Sequence, residues 1–396
     1  MKVAVPKEVL PSETRVALIP EACAKLIKAG LEVVVQNDAG VASGHDDESY
    51  RKVGAVVEGD VRKLFGEADV VVKAGKPAHN DAVGGHEVDA MREGATLITF
   101  LDPLIDFDLV RKLAERRITS VSMELVPRIT RAQSMDALSS MANIAGYKAV
   151  LIAAAELPRL FPMMMTAAGT ISPARAFVIG AGVAGLQAIA TAKRLGAVVS
   201  GYDVRPAVKD QVESLGAKFV EMELDTQAAE DKGGYAKEQS EDFLRRQREL
   251  MTRVVAENDV VITTAAIPGK KSPVLITGDM VRGMKPGSVI IDLAAERGGN
   301  CELTRCDERV VENGVIILGP ANLPCTVPVH ASQMYARNMQ TLLLHFYNKG
   351  EWKVDMADEI TAGCVVTRDG EVVHPRIRDL MSLPALAPAA AEGSTN

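Results

Sequence analysis

Three glycines have the spacing of a turn that binds a dinucleotide. Gly180, Gly182 and Gly185 follow a short apolar run, and a segment of good helix formers comes directly after them. In such a turn the first glycine permits the bend, the second lets the backbone approach a pyrophosphate, and the third lets the helix pack close to the strand. The helix start then offers N–H groups and a positive dipole end to the phosphates. We therefore expect a dinucleotide to bind here.

An acidic residue lies where a ribose contact is expected. Asp203 ends the next apolar run, 18 residues after Gly185. A carboxylate at this spacing accepts hydrogen bonds from a ribose 2′-OH, and it repels a 2′-phosphate. Arg205 instead favours NADP(H), because an arginine nearby can receive that phosphate. Since Asp203 ends the strand directly, the sequence predicts NAD(H) as the ligand.

The elements that hold this turn follow from the hydrophobic pattern. We predict strands at Ala176–Ile179 and Ala197–Tyr202, with a helix over Leu186–Leu195 that Gly196 ends. Ligands of such folds lie beyond the carboxyl ends of the strands. The expected lining of the adenosine and pyrophosphate cleft is therefore Val183, Asp203, Val204, Arg205, Thr264, Ala265, Ala266 and Ile267. The alternative is a structural strand-to-helix turn that holds no ligand.

Strands and helices alternate on both sides of this motif. Predicted strands before it are Lys2–Val5, Leu31–Val35, Asp69–Lys73, Thr96–Phe100 and Ile118–Met123, and those after it are 218–220, 259–263, 288–293 and 315–318. Predicted helices are Pro20–Ala29, Phe107–Arg116, 211–215, Phe243–Asn258 and Val329–Asn348. A further helix is expected where the polar loop within 126–148 runs into a helical pattern that continues past Gly146 to about Ala155. A hairpin with a Gly turn is expected where Cys364–Thr367 and Glu371–His374 are joined across Arg368-Asp369-Gly370.

This alternation predicts an α/β fold with two Rossmann-like domains. Each domain has a doubly wound parallel sheet, and long helices join the domains with a cleft between them. The expected boundaries are 1–137 plus 329–380 for a discontinuous N-terminal domain and 138–328 for the NAD(H)-binding domain. A disordered tail is expected over 381–396, and a lid with Gly233-Gly234-Tyr235 over 223–242.

Composition narrows the class of protein. The chain has 396 residues, a net charge of −7 and 4% aromatic residues, which does not favour a nucleic-acid partner. Its five cysteines are scattered without a Cys-x-x-Cys pair, and the histidines form no metal-ligand spacing, so no metal is predicted. The first residues enter a strand directly, which predicts no signal peptide. No uncharged apolar run reaches the roughly 18–20 residues of a membrane span.

Longer stretches carry a resemblance that is more specific than the glycine pattern. They are Pro6–Glu8, Arg15–Ala17, Arg131–Asp136, Phe161–Gly169, Gly233–Lys237 and Lys285–Ala294. Through them the chain resembles the NAD(H)-binding domain of the proton-translocating nicotinamide nucleotide transhydrogenases, over nearly its whole length. In that family another soluble domain binds NADP(H) and a membrane domain carries protons. The chain is similar to the separate α subunit of a split, three-subunit enzyme.

The resemblance implies direct hydride transfer from NADH to NADP⁺ bound on a partner subunit, by an enzyme of the Si-specific/Re-face type. It further implies a homodimer that docks, through membrane-spanning and NADP(H)-binding subunits, on the cytoplasmic face of the membrane. Neither nicotinamide ring needs a general acid or a nucleophile, so the protein has to orient the ring and shield it from water.

The resemblance also implies which side chains lie around the nicotinamide. They are Arg128, Gln133, Asp136 and Ser139, with Tyr235 closing the lid over bound NAD(H). The three-residue spacing from Gln133 to Ser139 predicts one shared helical face, and Arg128 can pair with Asp136. The same residues would also suit a cap and salt-bridge cluster at a helix start. Ile129, Gly234 and Leu275 complete the predicted cofactor contacts.

An NAD-dependent amino-acid oxidoreductase of the alanine dehydrogenase type is the main alternative. Arg15 matches the substrate arginine of that enzyme. Asp102 stands where its catalytic histidine would fall, and Gly75 aligns with its active-site lysine. Because oxidative deamination needs a proton acceptor near the carbon that loses hydride, we expect Arg15 to be a structural ion-pairing residue. A non-catalytic NAD-binding regulator is the third hypothesis.

Methionines 163–165 have two interpretations. The sequence predicts core packing for them, although a methionine-rich surface can also serve a partner.

Overall fold

The computed structural model describes residues 1–221, 241–267, 269–384 and 386, with only the backbone of 241–244. Most of the predicted lid, including Gly233, Gly234 and Tyr235, and most of the predicted tail lie outside the described residues.

The α-helices of this part of the chain are labelled in chain order. They are α1 Pro20–Lys28, α2 Asp47–Lys52, α3 Val61–Glu67, α4 Glu87–Ala90, α5 Phe107–Glu115, α6 Ala137–Glu156, α7 Val183–Arg194, α8 Lys209–Ser214, α9 Glu241–Glu257, α10 Gly278–Arg282, α11 Pro328–Phe346, α12 Glu359–Cys364 and α13 Pro375–Leu380.

The strands of the two large sheets are labelled in the same way. They are β1 Lys2–Val5, β2 Glu32–Gln36, β3 Val56–Glu58, β4 Val70–Val72, β5 Thr96–Thr99, β6 Thr119–Ser122, β7 Arg175–Ile179, β8 Val198–Tyr202, β9 Lys218–Phe219, β10 Val260–Thr263, β11 Val289–Asp292, β12 Arg309–Glu312, β13 Val315–Leu318, β14 Val365–Arg368 and β15 Glu371–Val372. Three further two-stranded pairs join 79–80 to 85–86, 164–166 to 169–171, and 347–348 to 351–352.

The chain divides into two compact units, one of residues 1–138 and 328–396 and one of residues 139–327. In the first unit the strand order is β15-β14-β6-β5-β4-β1-β2-β3. The neighbours from β6 to β3 are parallel, and β14 and β15 add an antiparallel edge. The central order 3-2-1-4-5-6 is that of a doubly wound sheet, which confirms the predicted fold class.

The antiparallel edge ends in the predicted hairpin. Asp369 and Gly370 form the connection with φ values of 53° and 88°. Positive φ at both central residues is the requirement of a type I′ turn, whose twist matches that of the paired strands.

The second unit repeats this architecture. Its strand order is β9-β8-β7-β10-β11-β13-β12, parallel except for the β12 edge. Phe177, Val178, Ile262 and Ile290 in the central strands have almost no solvent exposure. Strands buried on both faces need continuous apolar runs, which is why the sequence pattern located them.

Helix α6 is the one described helix long and apolar enough to cross a membrane, judged by length and composition only. Its Ala149, Val150 and Ala153 are fully buried in the core of the second unit. A Cβ on Gly146 would lie 2.1 Å from the carbonyl oxygen of Ala184, so this glycine lets α6 approach α7. A helix packed in a core passes the same composition test.

Two expectations about local structure are wrong. Helix α7 begins at Val183 and not at Leu186, because the last glycine of the turn already lies in its first turn. The methionine triplet is exposed and does not pack in a core. Met163 is 59% and Met165 82% exposed, and residues 164–166 pair with 169–171 as an exposed two-stranded ribbon.

Candidate functional site

The glycine turn joins β7 to α7 at the point where the strand order of the second unit reverses. Gly180 has φ +96°, and its carbonyl accepts a hydrogen bond of 3.0 Å from Oγ1 of Thr264, which follows β10. A Cβ on Gly185 would lie 1.8 Å from the oxygen of Gly180. Backbone conformation at one position and helix–strand contact at the other therefore require glycine.

Gly182 is different, because the described protein atoms leave room beside it. The atom nearest to a Cβ built there is Nη2 of Arg205, at 4.0 Å. Gly182 is the N-cap residue of α7, and among the described residues no side chain caps this end of the helix. An uncapped helix start beside an open glycine suits a phosphate that approaches the backbone.

Asp203 lies at the carboxyl end of β8, next to the glycine turn. Its Oδ2 accepts the backbone N–H of Ala181 at 2.8 Å and Nη2 of Arg205 at 2.9 Å. Its Oδ1 accepts the backbone N–H and Nε of Arg205, both at 2.9 Å. The predicted ribose contact is thus already bonded to groups of the protein itself.

The loop after β10 is held by a residue that sequence reasoning missed. Asn300 is fully buried, and its Oδ1 accepts the N–H of Ala265 at 3.0 Å. Its Nδ2 donates to the carbonyls of Ala265 and Pro273, both at 2.8 Å. Its own carbonyl accepts the N–H of Leu275 at 2.8 Å. Two predicted cofactor contacts, Ala265 and Leu275, therefore depend on one asparagine.

Asp292 in turn holds Asn300, and sequence reasoning missed it as well. Its fully buried carboxylate accepts five hydrogen bonds of 2.7–3.0 Å, from Oγ1 of Thr263 and Thr304 and from the N–H groups of Ala294, Asn300 and Cys301. A buried carboxylate with so many donors has a structural role. The available signal was an acidic residue at the end of an apolar strand, the feature that singled out Asp203.

The predicted nicotinamide-end residues lie on a short segment of the first unit. A 3₁₀ helix spans Thr130–Met135, with Ala132 and Met135 buried and Arg128 and Gln133 exposed. The segment therefore has an apolar inner side and a polar outer side. Such a side can hydrogen-bond to a polar ligand.

The shared helical face predicted for Gln133, Asp136 and Ser139 is wrong. Asp136 ends the 3₁₀ helix with ψ 87°, outside the helical region, and α6 starts one residue later. Two helices therefore meet at Asp136, where the pattern predicted one.

The predicted site residues fall into two groups. Arg128, Ile129, Gln133 and Asp136 belong to the first unit, and Ser139 is the first residue of the second. The second unit brings the glycine-turn residues, Asp203 to Arg205, and Thr264 to Ala266 together at the carboxyl edge of its sheet. Tyr235 and Gly234 lie outside the described residues.

The first unit holds buried ion pairs at the carboxyl edge of its own sheet. Arg15 donates from Nε to Glu13 at 2.7 Å, and its guanidinium lies 5.7 Å from the ring centroid of Phe100. Arg15 thus forms a buried ion pair, while its structural role stays a prediction.

Near Gly75, where alanine dehydrogenase would have its lysine, the structure places another ion pair. Lys73 is fully buried, and its Nζ lies 2.9 Å from Oε2 of Glu8 and 3.2 Å from Oε2 of Glu87. Burial raises the pKa of the Glu8 carboxyl. Burial opposes the charge of Lys73, but the two carboxylates outweigh it and raise the pKa of that amine.

Asp102 occupies the position of the expected histidine with φ 54°. Glu124 is half-buried and holds it there, because its Oε1 accepts the N–H groups of Leu101 and Asp102 at 2.7 and 2.6 Å. Among the described residues, no group of His, Cys, Asp and Glu side chains suits a metal ion.

Comparison with known proteins is consistent with this architecture. Family models match residues 4–145, as the N-terminal domain of alanine dehydrogenase/PNT, and residues 149–375, as its C-terminal domain. The chain is 49% identical over 380 residues to the first part of NAD(P) transhydrogenase subunit alpha from Rhodospirillum rubrum, covering 95% of this chain and 99% of that protein.

Two solved structures have similar folds. The transhydrogenase from Sinorhizobium meliloti matches with a TM-score of 0.81 at 43% identity, over 95% of this chain and 99% of that one. An L-alanine dehydrogenase matches with the same TM-score at 25% identity, over 96% and 99%. Both domain models of one family are matched, in order, along the chain. The protein is therefore a member of the alanine dehydrogenase/PNT family.

Proposed function

We propose that this protein is the NAD(H)-binding subunit of a proton-translocating NAD(P)⁺ transhydrogenase. It binds NADH and presents it for direct hydride transfer to NADP⁺ on a partner subunit, and this transfer is coupled to proton translocation across a membrane. The observation that carries the proposal is the open glycine beside the start of α7, which no described side chain caps, in a chain 49% identical to a transhydrogenase subunit along almost its whole length.

Hydride transfer requires the protein to position the nicotinamide ring, and it does not require proton transfer by a side chain. A hydride passes between two nicotinamide C4 atoms, so no side chain has to donate or accept a proton. Gly182 and the first turn of α7 hold the pyrophosphate, and Asp203 accepts the ribose hydroxyls. Val183, Val204, Arg205, Thr264, Ala265, Ala266 and Leu275 line the rest of the adenosine and pyrophosphate region.

Polar side chains orient the ring end of the ligand. We assign this role to Arg128, Gln133, Asp136 and Ser139, with Tyr235 closing over bound NAD(H), and we propose Ile129 and Gly234 as further cofactor contacts. Gln133 can both donate to and accept from the carboxamide. The enzyme is of the Si-specific/Re-face type. The proposed domains are 1–137 plus 329–380, 138–328 for NAD(H) binding, and a tail over 381–396.

The proposal includes partners of three kinds. The chain forms a homodimer, and it docks on membrane-spanning and NADP(H)-binding subunits at the cytoplasmic face of the membrane. The exposed ribbon of Met163, Met164, Met165 and Ile171 supports a protein–protein interface, since contiguous apolar surface usually marks one.

Alanine oxidation is the second candidate, favoured by the fold shared with L-alanine dehydrogenase. The described residues argue against it. Glu13 occupies the guanidinium of Arg15, which would otherwise be the substrate arginine. Asp102 stands in place of the histidine, and Gly75 in place of the lysine.

A two-mixture assay tests these alternatives. The purified chain is mixed with NADH and an NADP⁺-loaded NADP(H)-binding subunit, and separately with L-alanine and NAD⁺. Hydride exchange in the first mixture alone supports the proposal. Turnover of alanine supports the dehydrogenase, and NADH binding with neither reaction leaves a regulatory NAD-binding protein.

A further inference from the structure

The segment 128–136 carries the proposed nicotinamide contacts of the first unit, but it has little regular structure of its own. Its 3₁₀ helix is six residues long, and the segment ends at the non-helical Asp136. Short 3₁₀ helices have poor hydrogen-bond geometry, so they need support from their neighbours. Whatever holds this segment therefore also sets where Arg128 and Gln133 point.

Helix α11 supplies one support. Nδ2 of Asn338 donates to the carbonyl of Ser134 at 2.8 Å, and Asn338 is only 7% exposed. This bond holds the backbone of the residue next to Gln133. Because the buried Ala132 and Met135 flank that pair, the inner side of the segment is fixed by packing and by one directed hydrogen bond.

Helix α12 supplies a second support through its N-cap residue. Oδ1 of Asp358 accepts Nη2 of Arg131 at 2.8 Å. Oδ2 accepts the N–H groups of Ile360 and Thr361 at 3.0 and 3.1 Å, and it lies 3.0 Å from Nε2 of His345. The carboxylate thus links the segment to both α12 and α11.

The same short helix also contacts the start of the segment. A Cβ on Gly363 would lie 3.2 Å from Cδ of Pro127, the residue before Arg128. Helices α12 and α11 therefore support the 3₁₀ helix at Arg131 and at Ser134, and α12 also packs against the residue before Arg128. All three contacts come from residues more than 200 positions away in the sequence.

We propose that Asn338 and Asp358 are positioning residues for hydride transfer. They fix the segment 128–136 in the orientation that aims its polar side chains at the nicotinamide end of NADH. This inference rests on the proposed function. Displacement of reacting groups by about 1 Å can slow a reaction on the order of 100-fold, so supports remote from the ligand can govern the rate.

Asp358→Asn is the sharpest test. Asparagine retains an oxygen that caps α12, so the helix should persist, while the charge that holds Arg131 is lost. We expect NADH affinity within about twofold of wild type, because the adenosine region is untouched, and a single-turnover hydride-transfer rate reduced roughly tenfold. Asn338→Ala removes the other support and should behave in the same way.

Asp355→Asn is the matched control. Asp355 lies three residues earlier and pairs with Lys353 on the surface, at 2.8 Å. Its replacement should leave the transfer rate unchanged. Arg131→Lys retains a charge toward Asp358 and should recover part of the rate that Arg131→Ala loses.

Amide hydrogen exchange over 130–136 provides a readout that needs no partner subunit. Faster exchange is expected in Asp358→Asn and Asn338→Ala, and not in Asp355→Asn. Unchanged exchange, an unchanged transfer rate, or a fall in rate explained wholly by weaker NADH binding would each overturn the inference. Absence of hydride transfer in the wild-type chain, with these exchange differences present, would overturn the proposed function instead.

Discussion

Arg205 donates three hydrogen bonds to the carboxylate of Asp203, through its backbone N–H, Nε and Nη2, all at 2.9 Å. The N–H of Ala181 donates a fourth. A carboxylate has about four lone-pair sites, so these donors fill it. The ribose hydroxyl proposed to bind Asp203 therefore has to share or replace one of these four interactions.

Replacement of the acid should weaken NADH binding. Asp203→Asn removes a charged acceptor and breaks its ion pair with Arg205. Hydrogen bonds to charged groups contribute about 1.5–3 kcal/mol, so we expect the Kd for NADH to rise on the order of tenfold or more. Titration of NADH fluorescence measures this change, with the exposed Asp210→Asn as control. An unchanged Kd would remove Asp203 from the site.

Replacement of the arginine should act on the choice of nucleotide. Arg205→Ala leaves Asp203 unneutralised, so its repulsion of a 2′-phosphate grows. We expect the ratio of the Kd for NADPH to the Kd for NADH to increase by about tenfold. Parallel titrations with the two nucleotides determine this ratio. A decrease would mean that Asp203 does not set the preference.

Gly185→Ala should disrupt the turn itself. The new Cβ would lie 1.8 Å from the oxygen of Gly180, an approach that backbone atoms cannot accommodate without a shift. We expect the free energy of unfolding to fall by roughly 3 kcal/mol, and we expect NADH binding to be lost. Gly66→Ala in α3 is the control. A Cβ there meets no atom of the described residues within 4 Å, and alanine should stabilise the helix by up to about 1 kcal/mol.

Asn300→Ala should weaken NADH binding more than its effect on folding accounts for. The change removes three side-chain hydrogen bonds and leaves buried partners unpaired, at a cost of roughly 2–4 kcal/mol in the free energy of unfolding. The Kd for NADH should rise several-fold, because the loop at Ala265 is released. Asn258→Ala removes a buried asparagine bond to Val254 and should lower stability with no change in the Kd. Equal effects of the two variants on NADH binding would contradict the role of Asn300.

Stability in acid should depend on Asp358. Burial raises the pKa of its carboxyl, but this effect is outweighed by the hydrogen bond from Arg131, the N–H of Thr361 and the charge of His345, which together lower the pKa to about 2. A depressed pKa gives stability that is present above the unfolded value of 3.8 and lost as the pH falls toward about 2.

Melting temperatures of wild type and Asp358→Asn, measured between pH 6 and about pH 2, check this sign. The difference in melting temperature should be constant above about pH 4 and shrink below it. A difference that grows as the pH falls would show that this carboxyl is not stabilised in its ionised form.

Much of this protein is determined by short-range chemistry, and the sequence therefore predicts it. Gly180 needs positive φ, Gly185 needs the absence of a side chain, and both demands lie within one turn. The buried strands show as continuous apolar runs, and the Gly turn at Asp369-Gly370 predicts the hairpin. Asp203 is recognisable because it ends the strand that follows the glycine motif and its helix.

Only the tertiary structure decides which distant side chains hold these local features. Asn300 meets Ala265 because the crossover from β10 to the adjacent parallel strand β11 brings their loops together. Asn338 and Asp358 meet the segment at 131–134 because α11 and α12 return to the first unit. The exposed methionines are a second example, since an apolar triplet in the sequence does not show whether it is buried or exposed. Local pattern encodes φ, ψ and periodicity, whereas long-range partners follow from strand order and helix packing, which no short window of sequence contains.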